Sequence, residues 1–283
     1  MLYQQYKKVQ ANKKYRYYIM AGIIILFIVF FSFCSFSGTT YSLPASITFA
    51  GQKVPLDDQK TYERIDTAFQ ILVQDQRGQI TLWLKRFNKY QPIIKNILDE
   101  EKVNEDFFYL AVQESSLLPC TTSSAQAKGW WQFIEGTATR FGLTINEFVD
   151  ERCDLVRSTH AAAQYLKTLL GEAYFKGDVF AAMAAYNFGE TNVLHVLNAQ
   201  GNFQQNHGYF SSFVNTENSL YIPRIIALKV ILQNPEEYGF ETYRDYTPWK
   251  LETYLLQPKD NINIKDLCKQ ADLDFLDFVS FNP

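Results

Sequence analysis

The sequence is poor in the groups that most often announce a cofactor. Its three histidines (His160, His195, His207) and four cysteines show no HExxH or CxxC spacing, which excludes the common zinc frameworks; no metal and no cofactor is expected. No glycine-rich loop leads into a helix, so a nucleotide phosphate finds no cradle. A net charge of −3 leaves no domain-wide basic face, and nucleic acid is not an expected partner. Strongly alternating strands and internal repeats are also missing. What is present is a globular composition, 47% hydrophobic and 20% charged, with aromatics at 16%.

The apolar residues are unevenly spread. Ile19 to Phe36 (IMAGIIILFIVFFSFCSF) runs without a charge and spans roughly 27 Å as a helix, close to the ~30 Å of a bilayer core. Lys7, Lys8, Lys13, Lys14 and Arg16 precede it, and the next basic residue is Lys53. That asymmetry predicts a cytoplasmic N-terminus (1–18), a single inner-membrane helix (19–36) and a periplasmic location for the chain after Phe36. Ser35-Phe36-Ser37 is a mediocre cleavage site and Phe33 fits a lipoprotein signal poorly, so length favours an uncleaved anchor over a cleaved leader. Outside the cytoplasm disulfides become permissible; Cys120 with Cys153 is one pairing and three unpaired thiols is another.

Residues 37–60 hold two prolines and little periodicity, and read as a linker. From Thr61 the pattern is helical, with Pro92 expected to start or kink a helix. Asn104 is an N-cap with Glu105 and Asp106 in the first turn, and the helix it opens is expected to reach Ser116 before Pro119. Further helices are expected from Glu135 to Phe141, from an N-cap at Ser158, from an N-cap at Asp178, from Glu190, and over Ser219–Gln233. The domain of residues 61–240 is therefore mainly α. A small segment, 241–283, comes after it, with a short strand expected over Trp249–Leu256 and two short helices from Ile264.

Within the helix opened at Asn104, Phe107, Leu110, Ala111 and Glu114 fall at i, i+3, i+4 and i+7. The stripe places a carboxylate on the apolar face at the C-terminal end, where burial and the helix dipole both disfavour the anion. A carboxyl so placed stays protonated near neutral pH and can donate a proton. Spacing alone favours the plainer reading, a Glu at the edge of the face reaching water. Asp150, Glu151 and Asp154 read as turn and capping residues, and His160 as a packing or surface histidine.

The surrounding words tip the balance. ESSLLPCTTSSAQAKGWWQFIEGTA (114–138), AAYNFGETNV (184–193) and ENSLYIP (217–223) occur in that order. Together they resemble the signatures of the lytic transglycosylases of glycoside hydrolase family 23, with Glu114-Ser115, Gly129, Gln132, Thr137-Ala138 and Tyr186-Asn187 in step. Departures include Trp131 where many members have Met, Glu135 for Pro, and Thr191-Asn192 for a Gly-Arg pair. No LysM-type glycan-binding repeat occurs within these residues.

The resemblance implies an α+β lysozyme-like fold and a peptidoglycan glycan strand as substrate. It implies Glu114 as catalytic acid and then base, cleaving between N-acetylmuramic acid and N-acetylglucosamine and closing a 1,6-anhydro ring. It further implies that Ser115 steadies the carboxyl, that Tyr186 bonds near Glu114 or an acetamido group, that Gln132 and Asn187 bind substrate, and that Tyr221 lines the cleft. Core packing is the alternative for Tyr186 and Tyr221, and for Trp130 and Trp131 core filling and sugar stacking stand equal. Two other functions share the same residues: a lysozyme-like hydrolase in which water attacks, and a non-catalytic membrane-anchored glycan-binding scaffold. No protein partner can be named from the sequence.

Overall fold

The structure is a computed structural model that describes residues 41–171, 174–199, 220–242 and 263–282. The membrane segment expected over residues 19–36, the strand expected over Trp249–Leu256, and Glu217 to Ser219 of the third signature lie outside the described residues. Among the described residues no helix is long and apolar enough to cross a membrane.

The chain enters through an antiparallel hairpin, β1 (Thr48–Phe49) and β2 (Gln52–Lys53), turned by Ala50 and Gly51, both at positive φ. This corrects the expectation of a linker up to residue 60. Leu43, Ile47, Phe49 and Val54 are buried in the core, and Lys53 pairs with Thr48 across the hairpin. The two prolines punctuate a packed segment because its apolar residues are worth ~1.5–3 kcal/mol each when withdrawn from water.

Ten helices are described. Asp58 caps α1 (Gln59–Gln70) by accepting from the Thr61 amide, and a π-helical turn, Ile71–Asp75, joins it to α2 (Arg77–Glu100). Pro92 lies inside α2, which runs through it; the expected break is absent, at the loss of one backbone bond, because Ile94, Ile97 and Leu98 hold the following turns in the core. A 3₁₀ turn, Glu105–Phe107, capped by Asn104, leads into α3 (Phe108–Ser115). Then come α4 (Glu135–Arg140), α5 (Leu155–Leu170), α6 (Val179–Phe188) and α7 (Glu190–Ala199). The cap of α5 is Asp154, not Ser158: Asp154 accepts from the Arg157 amide, while the Ser158 hydroxyl donates to the Asp154 carbonyl. Either residue type can cap, and the carboxylate one turn earlier wins. Asp178 caps α6 as expected, accepting from the amides of Phe180 and Ala181.

The centre is α8 (Tyr221–Gln233), apolar around most of its circumference and buried from Ile222 to Leu232 except at Arg224. It packs against α1, α3 and α6. Its one buried cation, Lys229, donates to Asp106 at 2.7 Å and to the Thr48 carbonyl at 2.6 Å. Asp106 in turn accepts from the Ala50 amide at 2.7 Å. One carboxylate thus ties hairpin, 3₁₀ turn and central helix together. Two short helices, α9 (Ile264–Gln270) and α10 (Phe275–Phe281), close the chain as expected.

Candidate active site

Glu114 sits in the last turn of α3. Phe107, Leu110 and Ala111, below it on the same stripe, are fully buried, so the helix is held by its apolar face and delivers the carboxyl at its end. The helix stops where expected, at Ser116, and the turn that ends it is made by Ser116 and Leu117, both left-handed with φ 55°. Left-handed backbone at two successive non-glycine residues costs on the order of 1–3 kcal/mol each. Arg86 holds the turn by donating to the Ser116 carbonyl at 2.8 Å, and Leu117 is buried.

The Tyr221 hydroxyl, from the first turn of α8, donates to Glu114 Oε1. Burial among apolar neighbours pushes the Glu114 carboxyl up to about 7, against the lowering pull of that bond. Part of its surface stays open, which a proton donor needs. Of the two readings open to the spacing, the inward carboxyl is the one observed.

The loop after α3 forms the neighbouring wall. Cys120 and Cys153 are joined by a disulfide, resolving the pairing that the sequence left open, and Cys268 is a buried free thiol. Trp130 and Trp131 are 1% and 0% exposed, so both fill the core. Their indole N–H groups donate to the Cys153 carbonyl (2.7 Å) and the Thr159 hydroxyl (3.0 Å). Gly129, at φ +83°, lies where an added Cβ would stand 1.8 Å from the Arg152 carbonyl. Only glycine allows that approach.

The other expected residues divide. Tyr186 is half-buried, and its hydroxyl donates to the Trp131 carbonyl at 2.9 Å, with burial and the Glu114 charge both raising its pKa. It is therefore beside Glu114 without bonding it. Gln132 adopts φ 49° and donates through Nε2 to the carbonyls of Thr121 and Gly129, both at 2.9 Å; its amide nitrogen is spent on the loop. Ser115 does not steady the carboxyl: its hydroxyl is buried and donates to the Ala111 carbonyl, one turn back along its own helix. The 100° step of a helix turns it away from Glu114. Asn187 is exposed at the end of α6.

Asp150, Glu151 and His160 are each engaged by neighbouring groups. Arg152 donates to both Asp150 oxygens (2.9 and 2.7 Å), and with Lys128 holds that carboxyl down to about 2. Glu151 accepts from the Thr144 amide, and His160 contacts Glu101 at 2.8 Å on the surface. Among the described residues no cluster of His, Cys, Asp and Glu is arranged to hold a metal ion.

Sequence reasoning passed over the row behind Glu114. Arg224, one turn after Tyr221 on α8, donates through Nε to Gln113 Oε1 (2.9 Å) and through Nη2 to Gln76 Oε1 (2.5 Å). Gln113 and Arg224 flank motif positions but belong to no signature, and 111 residues separate them, so only the fold brings them together.

The site thus holds a buried carboxyl raised to about 7, with a tyrosine hydroxyl donating to it. Residues 91–208 match the transglycosylase SLT domain. Across 154 residues it is 31% identical to membrane-bound lytic murein transglycosylase D from two strains of Escherichia coli, covering 54% of this chain and 34% of each relative. The chain thus spans about a third of the length of the curated relatives it matches. A solved structure of an inactive mutant of the lytic transglycosylase Slt from Pseudomonas aeruginosa overlaps 51% of this chain and 24% of that one, at 19% identity and a TM-score of 0.41.

Proposed function

We propose that this chain is a peptidoglycan lytic transglycosylase in which Glu114 is the sole catalytic carboxyl. The observation that carries the reading is the buried Glu114 carboxyl, raised to about 7 and bonded by Tyr221, inside an SLT domain. At that pKa a large share of the molecules hold the proton near neutral pH, and the conjugate base is strong enough to take one back.

Glu114 first protonates the glycosidic oxygen between N-acetylmuramic acid and N-acetylglucosamine. The substrate's own acetamido oxygen supports the developing cation, which explains why no second protein carboxylate is needed. The anionic Glu114 then removes the proton from the muramyl C6 hydroxyl. That oxygen attacks C1, closing a 1,6-anhydro ring with no net consumption of water. Tyr221 keeps the carboxyl aimed through both steps, and Tyr186 and Gln132 fix the wall opposite it. Asn187, exposed at the end of α6, is assigned to bind an acetamido or hydroxyl group of the strand.

The domain works outside the cytoplasm, anchored by residues 19–36. The Cys120–Cys153 disulfide supports this, since such bonds persist in oxidising compartments, as does the cluster of basic residues before the apolar run. Mass spectrometry of purified peptidoglycan digested by the chain, beside Glu114→Gln, tests the reading. Products ending in 1,6-anhydro sugars are expected from the wild type only. Reducing ends would instead make the chain a hydrolase using the same acid, and the absence of products from both would end the catalytic reading.

A further inference from the structure

A cavity of about 490 Å³ that the catalytic steps do not use is lined by Gln113, the chain neighbour of Glu114, and by Ser116. Asp75, Gln76, Gln79, Trp83, Gln113 and Arg224 contribute to its walls. It is built on the second of two successive rungs between α3 and α8. Tyr221 to Glu114 is the first rung, and Arg224 to Gln113 the second. A substrate seated on Glu114 therefore has the cavity within reach of its substituents.

The walls present donors. A guanidinium has no acceptor, so Gln76 and Gln113 must turn their oxygens to Arg224 and keep their Nε2 groups for a ligand. Trp83, itself 3% exposed, carries an indole N–H that finds no acceptor among the described residues. Arg224 makes no ion pair among the described residues, and burial without a counter-charge holds its pKa below the ordinary value. A half-buried guanidinium whose partners are two neutral amides and the face of the Trp83 ring carries no anionic partner, and a carboxylate is the group that matches its fork. Asp75, the one acid on these walls, makes the cavity two-signed and disfavours a compact polyanion.

Resting on the transglycosylase reading, we infer that this cavity binds a carboxylate borne by the lactyl substituent of the muramyl sugar, with Arg224 as its principal contact. The substituent supplies that group in two ways. A stripped strand exposes the lactyl carboxylate itself, whereas an intact strand carries it as an amide to a peptide stem ending in a carboxylate.

Binding measured by calorimetry on the full chain carrying Glu114→Gln separates the cases, because that variant cannot cleave and the readout does not depend on turnover. Three glycan oligomers of equal length serve as probes: one with peptide stems, one stripped to free lactyl groups, and one whose lactyl carboxylates are converted to amides. Arg224→Lys loses the fork. Gln76→Glu keeps an acceptor for Arg224 but cancels its charge, so it preserves the packing that Arg224→Lys disturbs. Both substitutions are expected to weaken a carboxylate-bearing oligomer about tenfold and to leave the amidated one unchanged. A loss confined to the stem-bearing oligomer identifies the peptide carboxylate, and a loss on the stripped one identifies the lactyl group. Equal weakening of all three, or of none, overturns the inference. Failure of the transglycosylase reading itself would show separately, as missing 1,6-anhydro ends from the wild type.

Discussion

Replacing Glu114 with glutamine separates the cost of its charge from the rest of the site. The amide has the same shape and its oxygen still accepts from Tyr221, so packing and the hydrogen bond are kept while ionisation is removed. Below pH 4.5 the wild-type carboxyl is protonated both folded and unfolded, and the two proteins should be equally stable. As pH rises from 4.5 to about 7 the unfolded chain releases the proton and the folded chain keeps it, so the wild type loses stability relative to the variant. Above about 7 both states are ionised and the gap stops growing. A rise from 4.5 to about 7 corresponds to about 3 kcal/mol at 1.36 kcal/mol per pH unit. Because Glu114 as a residue is only half-buried, solvent screening reduces this to about 1–2 kcal/mol. Urea unfolding at pH 4, 5.5, 7 and 8.5 measures it, and other titrating groups cancel in the difference between the two proteins. The buried Trp83, Trp130 and Trp131 provide the fluorescence signal. A stability difference that stays flat across that range would refute a desolvated carboxyl at position 114, whatever the catalytic result.

Three further outcomes rest on the same geometry. Tyr221→Phe removes the bond that lowers the Glu114 pKa, so the alkaline limb of kcat/KM against pH should move upward while its maximum falls about tenfold; an unmoved limb would mean that the bond is idle. Gly129→Ala drives a Cβ into the Arg152 carbonyl at a backbone angle alanine avoids, and thermal melting should show a loss of at least about 2–4 kcal/mol. Opening the Cys120–Cys153 bond by a double serine substitution frees a loop with a sequence separation of 33 and should cost about 3–4 kcal/mol in denaturant unfolding; a cost near zero would show that the hydrogen-bonded loop holds itself.

The parts legible in the sequence were those written in local spacing. The apolar stripe ending in Glu114, the caps at Asn104 and Asp178, and the helix starting at Glu190 all arise from residues within two turns of one another. Errors arose where a local signal had two solutions. Asp154 and Ser158 can each cap a helix, and which one does depends on where α5 meets its neighbours. Pro92 reads as a break, yet tertiary packing carries α2 through it. The segment entering the domain hid a signal that could have been used: Ile47, Phe49 and Val54 are apolar on either side of an Ala-Gly turn, the outline of a hairpin with one buried face. Motif membership says that a residue matters without saying to what: the Ser115 hydroxyl is bonded within its helix, and the Gln132 amide nitrogen within its loop. The rungs from α8 to α3 join residues more than 100 positions apart, and no spacing rule could have paired them.

Beside the disulfide and the two buried tryptophans, the loop between Cys120 and Phe133 is secured through its main-chain oxygens. Tyr186 holds the carbonyl of Trp131, Gln132 those of Thr121 and Gly129, and Arg152 those of Gln126 and Phe133. A carbonyl is the same whichever side chain it belongs to. Evolution or an engineer can therefore rewrite the outward residues, Thr122, Ser124 and Ala125 among them, without loosening the wall beside Glu114. On the transglycosylase reading, this rim can be retuned toward differently decorated strands while the machinery behind it stays fixed.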